Sequence, residues 1–357
     1  MGGAQPTGSS HAATTATTVT QQGDGRPDPI PASAHPAFVD PLAVGEPAPG
    51  LDEGGIVALH VHRSFGSVHA VREMTFHAKP GRVTALIGPN GAGKTTLLLM
   101  LASLLAPDSG AIRIDGAYPM HDPRAVRRAM GWMPDVLGTW RTLTPLQILT
   151  TVGRLHGLDR SAARERAAEL IVEARLEELA NRPSRVLSRG QQQRLGLVRA
   201  LVHRPRVLLL DEPAAGLDPT SRVELRGMLR GFAADGGTVL ISSHDLSELD
   251  EMADDAVFVD RGEVVRGERL VLAQQASREW RIRALDPRAL SYQLANIGVA
   301  FDRVRLEGEL AYVALDRDEH AAEVLARLVG AGVPITHFAP AVGDMERTYL
   351  GLSGGAR

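Results

Sequence analysis

The segment Gly88-Pro89-Asn90-Gly91-Ala92-Gly93-Lys94-Thr95 has the spacing of a phosphate-binding loop: a glycine, four residues, and then glycine, lysine and threonine. It lies between an apolar run at 83–87, which predicts a strand, and a leucine-rich run at 95–105, which predicts a helix. Glycines let the backbone approach phosphates closely, and the N–H groups at a helix start face the anion. We therefore predict a nucleotide site in which Lys94 contacts the β- and γ-phosphates and Thr95 offers a hydroxyl to Mg²⁺.

The runs around this loop predict an α/β fold, because strand-like segments alternate with helical patterns. The apolar strand runs indicate a sheet with substantial parallel content that is covered by helices on both faces. Short strands are predicted at 56–61, 112–114, 130–133, 207–210 and 238–242, and a mostly helical stretch at 142–180.

Composition excludes several classes of protein. The 357 residues include 39 basic and 42 acidic ones, and this balance argues against a nucleic-acid partner. The absence of cysteine excludes disulfides and Cys-ligated zinc. The longest apolar stretch, at 97–106, is about half of what a membrane-spanning helix needs. Since no secretion signal is visible either, we expect a cytoplasmic chain.

Composition also divides the chain into three parts. Residues 1–53 are rich in Ala, Thr, Gly and Pro and predict a disordered tail. Residues 54–270 carry the phosphate loop and the strand–helix alternation. Residues 271–357 predict a small α+β domain of the β-α-β-β-α-β kind, with strands at 280–283, 299–304, 310–315 and 333–338 and helices at 288–296, 319–329 and 343–351.

A second acidic motif follows the buried-strand run at 207–210, where Asp211 and Glu212 are adjacent. An acid that ends a buried strand beside a phosphate loop can hold Mg²⁺, usually through water. The next acid can polarise the attacking water as a general base. The sequence therefore predicts Asp211 as a metal ligand and Glu212 as a catalytic residue of a nucleotide hydrolase.

A third motif indicates which kind of nucleotide hydrolase this is. Leu187-Ser188-Arg189-Gly190-Gln191-Gln192-Gln193-Arg194 lies shortly before the acidic strand and resembles the Leu-Ser-Gly-Gly-Gln signature of ABC transporter ATP-binding subunits. Further segments match that family in order from about 55 to 270. This resemblance implies an ABC-type ATPase domain of the P-loop NTPase fold, with a helical subdomain at about 136–200, that binds and hydrolyses ATP with Mg²⁺.

The resemblance also implies roles for individual residues. Phe65 occupies the place where the family stacks an aromatic ring on adenine, and the whole loop from Gly88 to Thr96 contacts the nucleotide. His244 matches the switch histidine, which holds the γ-phosphate side of the site, and Asp218 matches the D-loop. In a head-to-tail homodimer the signature acts in trans, so that its residues contact the ATP on the partner's loop; they are Ser188, Arg189, Gly190 and Gln191.

Two positions depart from the family pattern. Asp135 stands where most members carry glutamine, at a position that contacts Mg²⁺ and the membrane subunit, and an aspartate can still act as a hard-oxygen ligand. Arg189 stands where the signature has glycine. Met133-Pro134-Asp135 combined with Leu-Ser-Arg-Gly is similar to a bacterial subgroup with ABC-2-type membrane partners.

The end of the chain carries a further likeness. Residues 344–355 resemble the closing segment of ABC-2-type exporter ATPases, including those for drug and antibiotic export. The subgroup implies export through a separate polytopic permease, with this chain held peripherally on the inner face of the cell membrane. It also implies that the C-terminal extension supports dimerisation or regulation.

Two alternatives stay open at this point. The first is a soluble ABC ATPase that acts on ribosomes or DNA. A single phosphate loop and about 90 residues between Lys94 and Leu187 disfavour it, because such members carry two ATPase domains or long coiled coils. The second is a weakly hydrolysing regulatory protein, which only Asp135 and Arg189 support.

The distribution of lysine in this chain leads to a test of the predicted role of Lys94. Of the 39 basic residues only Lys79 and Lys94 are lysines, so Lys94 survives in a chain that uses arginine almost everywhere else. The planar guanidinium group would not replace a compact ammonium in this loop. We expect Lys94→Ala to abolish ATP turnover of the purified protein, and normal hydrolysis by this variant would contradict the assignment.

Overall fold

The computed structural model describes residues 54–136, 138, 140–265, 278–315 and 318–354. The predicted disordered tail at 1–53 lies outside these residues. Among the helices that are described, none is both long enough and apolar enough to cross a membrane.

The described residues form a large mixed sheet in the order β4-β1-β2-β9-β8-β3-β7-β6-β5. Strands β5, β6, β7, β3 and β8 pair in parallel, and β1 pairs with β2 and β4 in antiparallel fashion. The strands are β1 Ile56–Phe65, β2 Val68–Ala78, β3 Val83–Ile87, β4 Ser109–Ile114, β5 Met130–Met133, β6 Val207–Asp211, β7 Thr238–Ser242, β8 Asp255–Asp260 and β9 Glu263–Val264.

Helices cover the parallel strands, and two hydrophobic clusters form between these layers. Every residue of β3 and β7 is buried, as expected for strands covered on both faces. Alternate residues enter opposite clusters: Ile87 and Ile241 join one, while Leu86 and Leu240 join the other. The helices are α1 Lys94–Leu101, α2 Pro123–Ala129, α3 Pro145–Leu155, α4 Arg160–Glu173, α5 Arg189–Ala200, α6 Pro219–Ala234 and α7 Leu246–Met252.

The predicted helical stretch at 142–180 contains α3 and α4, with separate start signals. Thr144 and Gln147 form a capping box at the start of α3, and Asp159 accepts two N–H groups at the start of α4. Buried residues of both helices, such as Leu149 and Leu170, join the same cluster as Leu195 of α5. The three helices therefore pack into one layer at the position of the predicted helical subdomain.

The residues after 277 build a second sheet of four antiparallel strands in the order β11-β12-β10-β13. Their order with two helices is the predicted β-α-β-β-α-β, and a third helix follows. The elements are β10 Arg278–Ala284, α8 Pro287–Asn296, β11 Val304–Glu307, β12 Leu310–Leu315, α9 Asp318–Gly330, β13 Ile335–Pro340 and α10 Asp344–Gly354. The proposed boundaries at 270 and 271 stay predictions.

Two predicted elements were wrong in extent. The segment 299–304 is not a strand: Phe301–Arg303 form a 3₁₀ turn with Phe301 88% exposed, and β11 begins only at Val304. Val299 and Val304 still pack against the core of the second sheet, but Phe301 points away from it. The helix predicted at 95–105 ends at Leu101, since Ser103 adopts a left-handed backbone with φ of 56°.

A stacked pair of histidines joins the end of α3 to the segment after α5. The rings of His156 and His203 lie 3.7 Å apart at 10° to each other, and Nε2 of His203 donates to the carbonyl oxygen of Met130 at 3.1 Å. Burial, reinforced by the positive charge that His156 carries when protonated, lowers the pKa of His203 to about 4, and the bond to Met130 opposes this only in part. His203 is therefore neutral in the folded protein at neutral pH.

The low pKa of His203 predicts that acid destabilises the folded protein. In the unfolded chain His203 titrates near 6.5, so falling pH favours unfolding from about pH 6.5 down to about pH 4. We expect His203→Gln to reduce the loss of melting temperature across this range, because the amide can still donate to Met130 but does not titrate. His121→Gln, at an exposed position, is the control for the loss of a histidine as such. Equal profiles for wild type and His203→Gln would contradict the assignment.

Candidate nucleotide site

The phosphate loop is closely packed on one side and open on the other. A Cβ atom at Gly88 would collide with the carbonyl oxygen of Val259, and one at Gly93 would collide with that of Ala70. Gly91 has no neighbour within 4 Å of the same position and a φ of 81°. Because the start of α1 has no side-chain cap, its N–H groups are left for a ligand.

Lys94 is the first residue of α1, and its ammonium group turns back into the loop. Nζ donates to the carbonyl oxygens of Gly88 at 2.6 Å and Pro89 at 3.1 Å. Burial lowers the pKa of Lys94, while the charges of Glu212 and Asp211 oppose that shift. The loop thus holds a cation next to its backbone donors, as predicted for the contact with phosphates.

The acidic pair is held by groups that the sequence analysis did not single out. Ser242, at the end of β7, donates its hydroxyl to Oδ1 of Asp211 at 2.5 Å, and its carbonyl oxygen accepts the N–H of Glu212 at 3.0 Å. Glu212 has a left-handed backbone with φ of 54°, which is unfavourable for a residue with a side chain. Nε2 of the buried Gln193 donates to the carbonyl oxygen of Glu212 at 2.7 Å and stabilises this conformation.

His244 follows β7 and reaches the same point from the neighbouring strand. Its Nδ1 lies 2.7 Å from Oε2 of Glu212, and its side chain is 78% exposed whereas that of Glu212 is only 18% exposed. Burial raises the pKa of Glu212, and the hydrogen bond with His244 opposes this shift. The carboxylate that we predict as the general base is thus oriented by the predicted switch histidine.

These groups line one cleft of about 410 Å³. It brings together most of the predicted loop residues, the acidic pair, the histidine and Asp135. Its lining residues are Val68, His69, Ala70, Gly88, Asn90, Gly91, Gly93, Lys94, Thr95, Thr96, Asp135, Asp211, Glu212 and His244. Pro89 and Ala92 belong to the loop but do not line the cleft, and Ala92 is buried.

The carboxylates of this cleft suit a divalent cation. Burial raises the pKa of Asp211, and the nearby charge of Asp135 raises it further against the hydrogen bond from Ser242. A cation would relieve this repulsion. No group of three or more His, Asp or Glu side chains in the described chain is arranged to hold a metal by itself. Mg²⁺ would therefore use Asp211 with the Thr95 hydroxyl, water and nucleotide phosphates.

Phe65 is placed near the cleft but does not line it. It ends β1, pairs with Val68 across the β1–β2 turn, and is 49% exposed. The guanidinium of Arg63 lies 4.8 Å from the centre of its ring. Val68, the partner of Phe65, lines the cleft, so a base that extends from the phosphate loop towards this turn would meet the ring. The contact with adenine stays a prediction.

The signature residues lie outside the cleft that their own chain forms. Ser188 precedes α5 and forms a capping box with Gln191, in which each side chain accepts the other residue's backbone N–H. The stem of Arg189 lies against Gly216, where a Cβ atom would be 2.9 Å from Cδ. Asp218 accepts the N–H and hydroxyl of Ser221 and caps α6, and these bonds lower its pKa.

Comparisons with known proteins agree with this geometry. Residues 71–215 match the family model for the ABC transporter ATP-binding domain. The uncharacterized ABC transporter ATP-binding protein YxlF of Bacillus subtilis is 38% identical over 305 residues, which cover 81% of this chain and 96% of that protein. The chain belongs to the ABC transporter ATP-binding proteins.

Other relatives of this ABC ATPase are named for export or resistance. The daunorubicin/doxorubicin resistance ATP-binding protein DrrA of Streptomyces peucetius is 31% identical over 317 residues, 87% of this chain and 94% of DrrA. The Nod factor export ATP-binding protein I of Ralstonia nicotianae is 31% identical over 314 residues, 86% of this chain and 97% of that protein.

Solved structures confirm the fold of the ABC ATPase. A dimeric ATP-binding cassette in a post-hydrolysis state with ADP and Pi has 25% identity and a TM-score of 0.55. The match covers 59% of this chain and 97% of the cassette. An ATP-binding subunit of an ABC transporter gives 28% identity and a TM-score of 0.55, with 58% of this chain and 87% of the other covered.

Gly88 offers a direct test of the close packing in the phosphate loop. We expect Gly88→Ala to weaken ATP binding at least about tenfold, because the new Cβ must displace the strand that carries Val259 or the loop itself. Gly227→Ala in α6 is the matched control, since its Cβ meets nothing within 4 Å and alanine favours a helix. Titration with a fluorescent ATP analogue measures the affinity of both variants. Wild-type affinity of Gly88→Ala would contradict the packing argument.

Proposed function

We propose that this ATPase works as a head-to-tail homodimer that drives export through a separate membrane permease. The main support for this proposal is that the predicted site residues of one chain fall into two separate groups. The loop, Asp211, Glu212 and His244 share one cleft, whereas the signature of the same chain lies outside it. A second copy can therefore supply Ser188 and its neighbours to the open side of the cleft.

In the proposed reaction the groups of the chain have distinct tasks. The loop amides and Lys94 bind the β- and γ-phosphates, and the partner's signature closes over the γ-phosphate. Glu212 accepts a proton from the attacking water, and His244 orients Glu212 and contacts the γ-phosphate. Mg²⁺, held by Thr95 and Asp211 with Asp135 nearby, would neutralise charge that develops on the phosphates.

Our proposals for the direction of transport and for the membrane partner rest on resemblance to other ABC proteins. Asp135, Arg189 and the segment 344–355 are similar to the ABC-2-type subgroup, and several relatives carry drug-resistance or export in their names. We propose a polytopic ABC-2-type permease as the partner, with this chain on the inner face of the membrane. No observation favours the ribosome-associated, DNA-associated or regulatory alternatives.

Complementation between two inactive variants tests the dimer. A mixed dimer of Lys94→Ala and Ser188→Ala has both defects in one site and none in the other, if signatures act in trans. We expect the mixture to recover turnover, up to about a quarter of wild type when the two sites act independently. If the signature served its own chain, every site would be defective and no activity would return.

Capture of the partner tests the transport role. We expect the tagged full chain to co-purify from detergent-solubilised membranes with a polytopic membrane protein. Recovery of ribosomes or DNA instead would overturn the transporter assignment while leaving ATP hydrolysis intact.

A further inference from the structure

The last helix, α10, packs against the ATPase core. Met345, Tyr349 and Leu352 pack against the hydrophobic cluster that contains residues of β3, β7 and α7. Tyr349 and Leu352 also line a small cavity of about 70 Å³ together with Pro89 of the loop. The last helix therefore shares this cavity with a residue of the predicted phosphate loop.

The start of α10 is held by a residue of the ATPase core. Oδ1 of Asp250 accepts the N–H of Met345 at 2.8 Å, and Oδ2 accepts that of Glu346 at 3.4 Å. A Cβ atom at Gly343 would overlap the carboxylate of Asp250. The contact therefore requires glycine at 343 and an acceptor at 250, which are far apart in sequence. A carboxylate at this place also complements the positive end of the helix.

Asp250 lies on α7, the helix that begins two residues after His244. A helix of seven residues has little stability of its own, so tertiary contacts must set its orientation. On one side α6 holds it through the ion pairs Arg222–Glu248 and Arg226–Glu251. On the other side α10 holds it through Asp250. The backbone that presents His244 is consequently fixed from both sides.

We propose that Asp250 is a positioning residue for ATP hydrolysis: by capping α10 it fixes α7, and with it the backbone that presents His244. The His244 side chain is largely exposed and meets Glu212 at 2.7 Å, so small shifts of α7 alter this contact directly. This inference rests on the proposed role of His244. It gives the C-terminal helix a task inside its own chain, apart from any role in dimerisation.

Three substitutions in the full-length protein test this. Asp250→Ala removes both acceptors, Asp250→Asn keeps an oxygen for Met345, and Gly343→Ala disturbs the same contact from the other side. We expect Asp250→Ala and Gly343→Ala to lower kcat at least about tenfold, because displacement of a reacting group is costly. The affinity for a fluorescent ATP analogue should stay within about twofold of wild type, because the loop itself is intact. Asp250→Asn should retain most of the turnover.

Asp286→Ala is the matched control. Asp286 also accepts two N–H groups at a helix start, at 2.9 and 3.1 Å, but it caps its own helix, α8, which packs in the core of the second sheet. We expect Asp286→Ala to lower the melting temperature about as much as Asp250→Ala does, but not to lower kcat. The double variant Asp250→Ala, Gly343→Ala should be no worse than either single variant, since both remove one contact.

The outcomes separate this inference from the proposed function. If wild-type turnover does not depend on Lys94, the proposed function and the positioning role of Asp250 are both contradicted. If wild type hydrolyses ATP and Asp250→Ala equals either wild type or Asp286→Ala in kcat, only the positioning role is overturned. A loss of kcat that Asp250→Asn restores, with nucleotide affinity unchanged, supports it.

Discussion

The parallel pairing of β3, β7 and β6 determines where the predicted catalytic groups of this protein lie. Leu86 is opposite Ser242, and Ser242 is opposite Asp211, so the carboxyl ends of the three strands reach one edge of the sheet. The phosphate loop, His244 and the acidic pair each follow one of these strands. Their convergence is a consequence of strand register.

The sequence predicted this part of the fold well because each central strand is a short apolar run bounded by turn residues. Strands β8 and β9 were not predicted. Nor was the antiparallel strand β2. Its burial is irregular, and its pairing with β1 shifts register between Ala58 and Ser64, so no clean alternation is visible. The predicted strand at 299–304 failed because its apolar residues reach the core of the second sheet from either side of a 3₁₀ turn, so their burial does not require a strand.

For the site, the motifs predicted groups that line the cleft, whereas the residues that hold these groups were missed. Ser242 and Gln193 act through Asp211 and Glu212, and their contacts depend on strand register and on the packing of α5. A polar residue that ends a buried strand was the available signal for Ser242. Gln193 follows two other glutamines, and only its burial distinguishes it. Long-range hydrogen bonds leave no periodic trace in a single sequence.

The two departures from the family signature have different structural settings. Asp135 adds a third carboxylate to the cleft and increases the negative charge around Asp211. Arg189 lies away from its own cleft, with its stem on Gly216. This contact joins the start of α5 to the segment that precedes Asp218, so two parts of the proposed dimer interface are linked within one chain.

The left-handed backbone of Glu212 places stability and activity in opposition. Such a conformation costs on the order of 1 kcal/mol for a residue with a side chain, and glycine would adopt it freely. Selection for thermal stability alone would therefore favour glycine at 212, which removes the carboxylate. The proposed reaction, in contrast, needs a carboxylate at this position. The hydrogen bonds from Gln193 and to Ser242 offset part of the backbone cost.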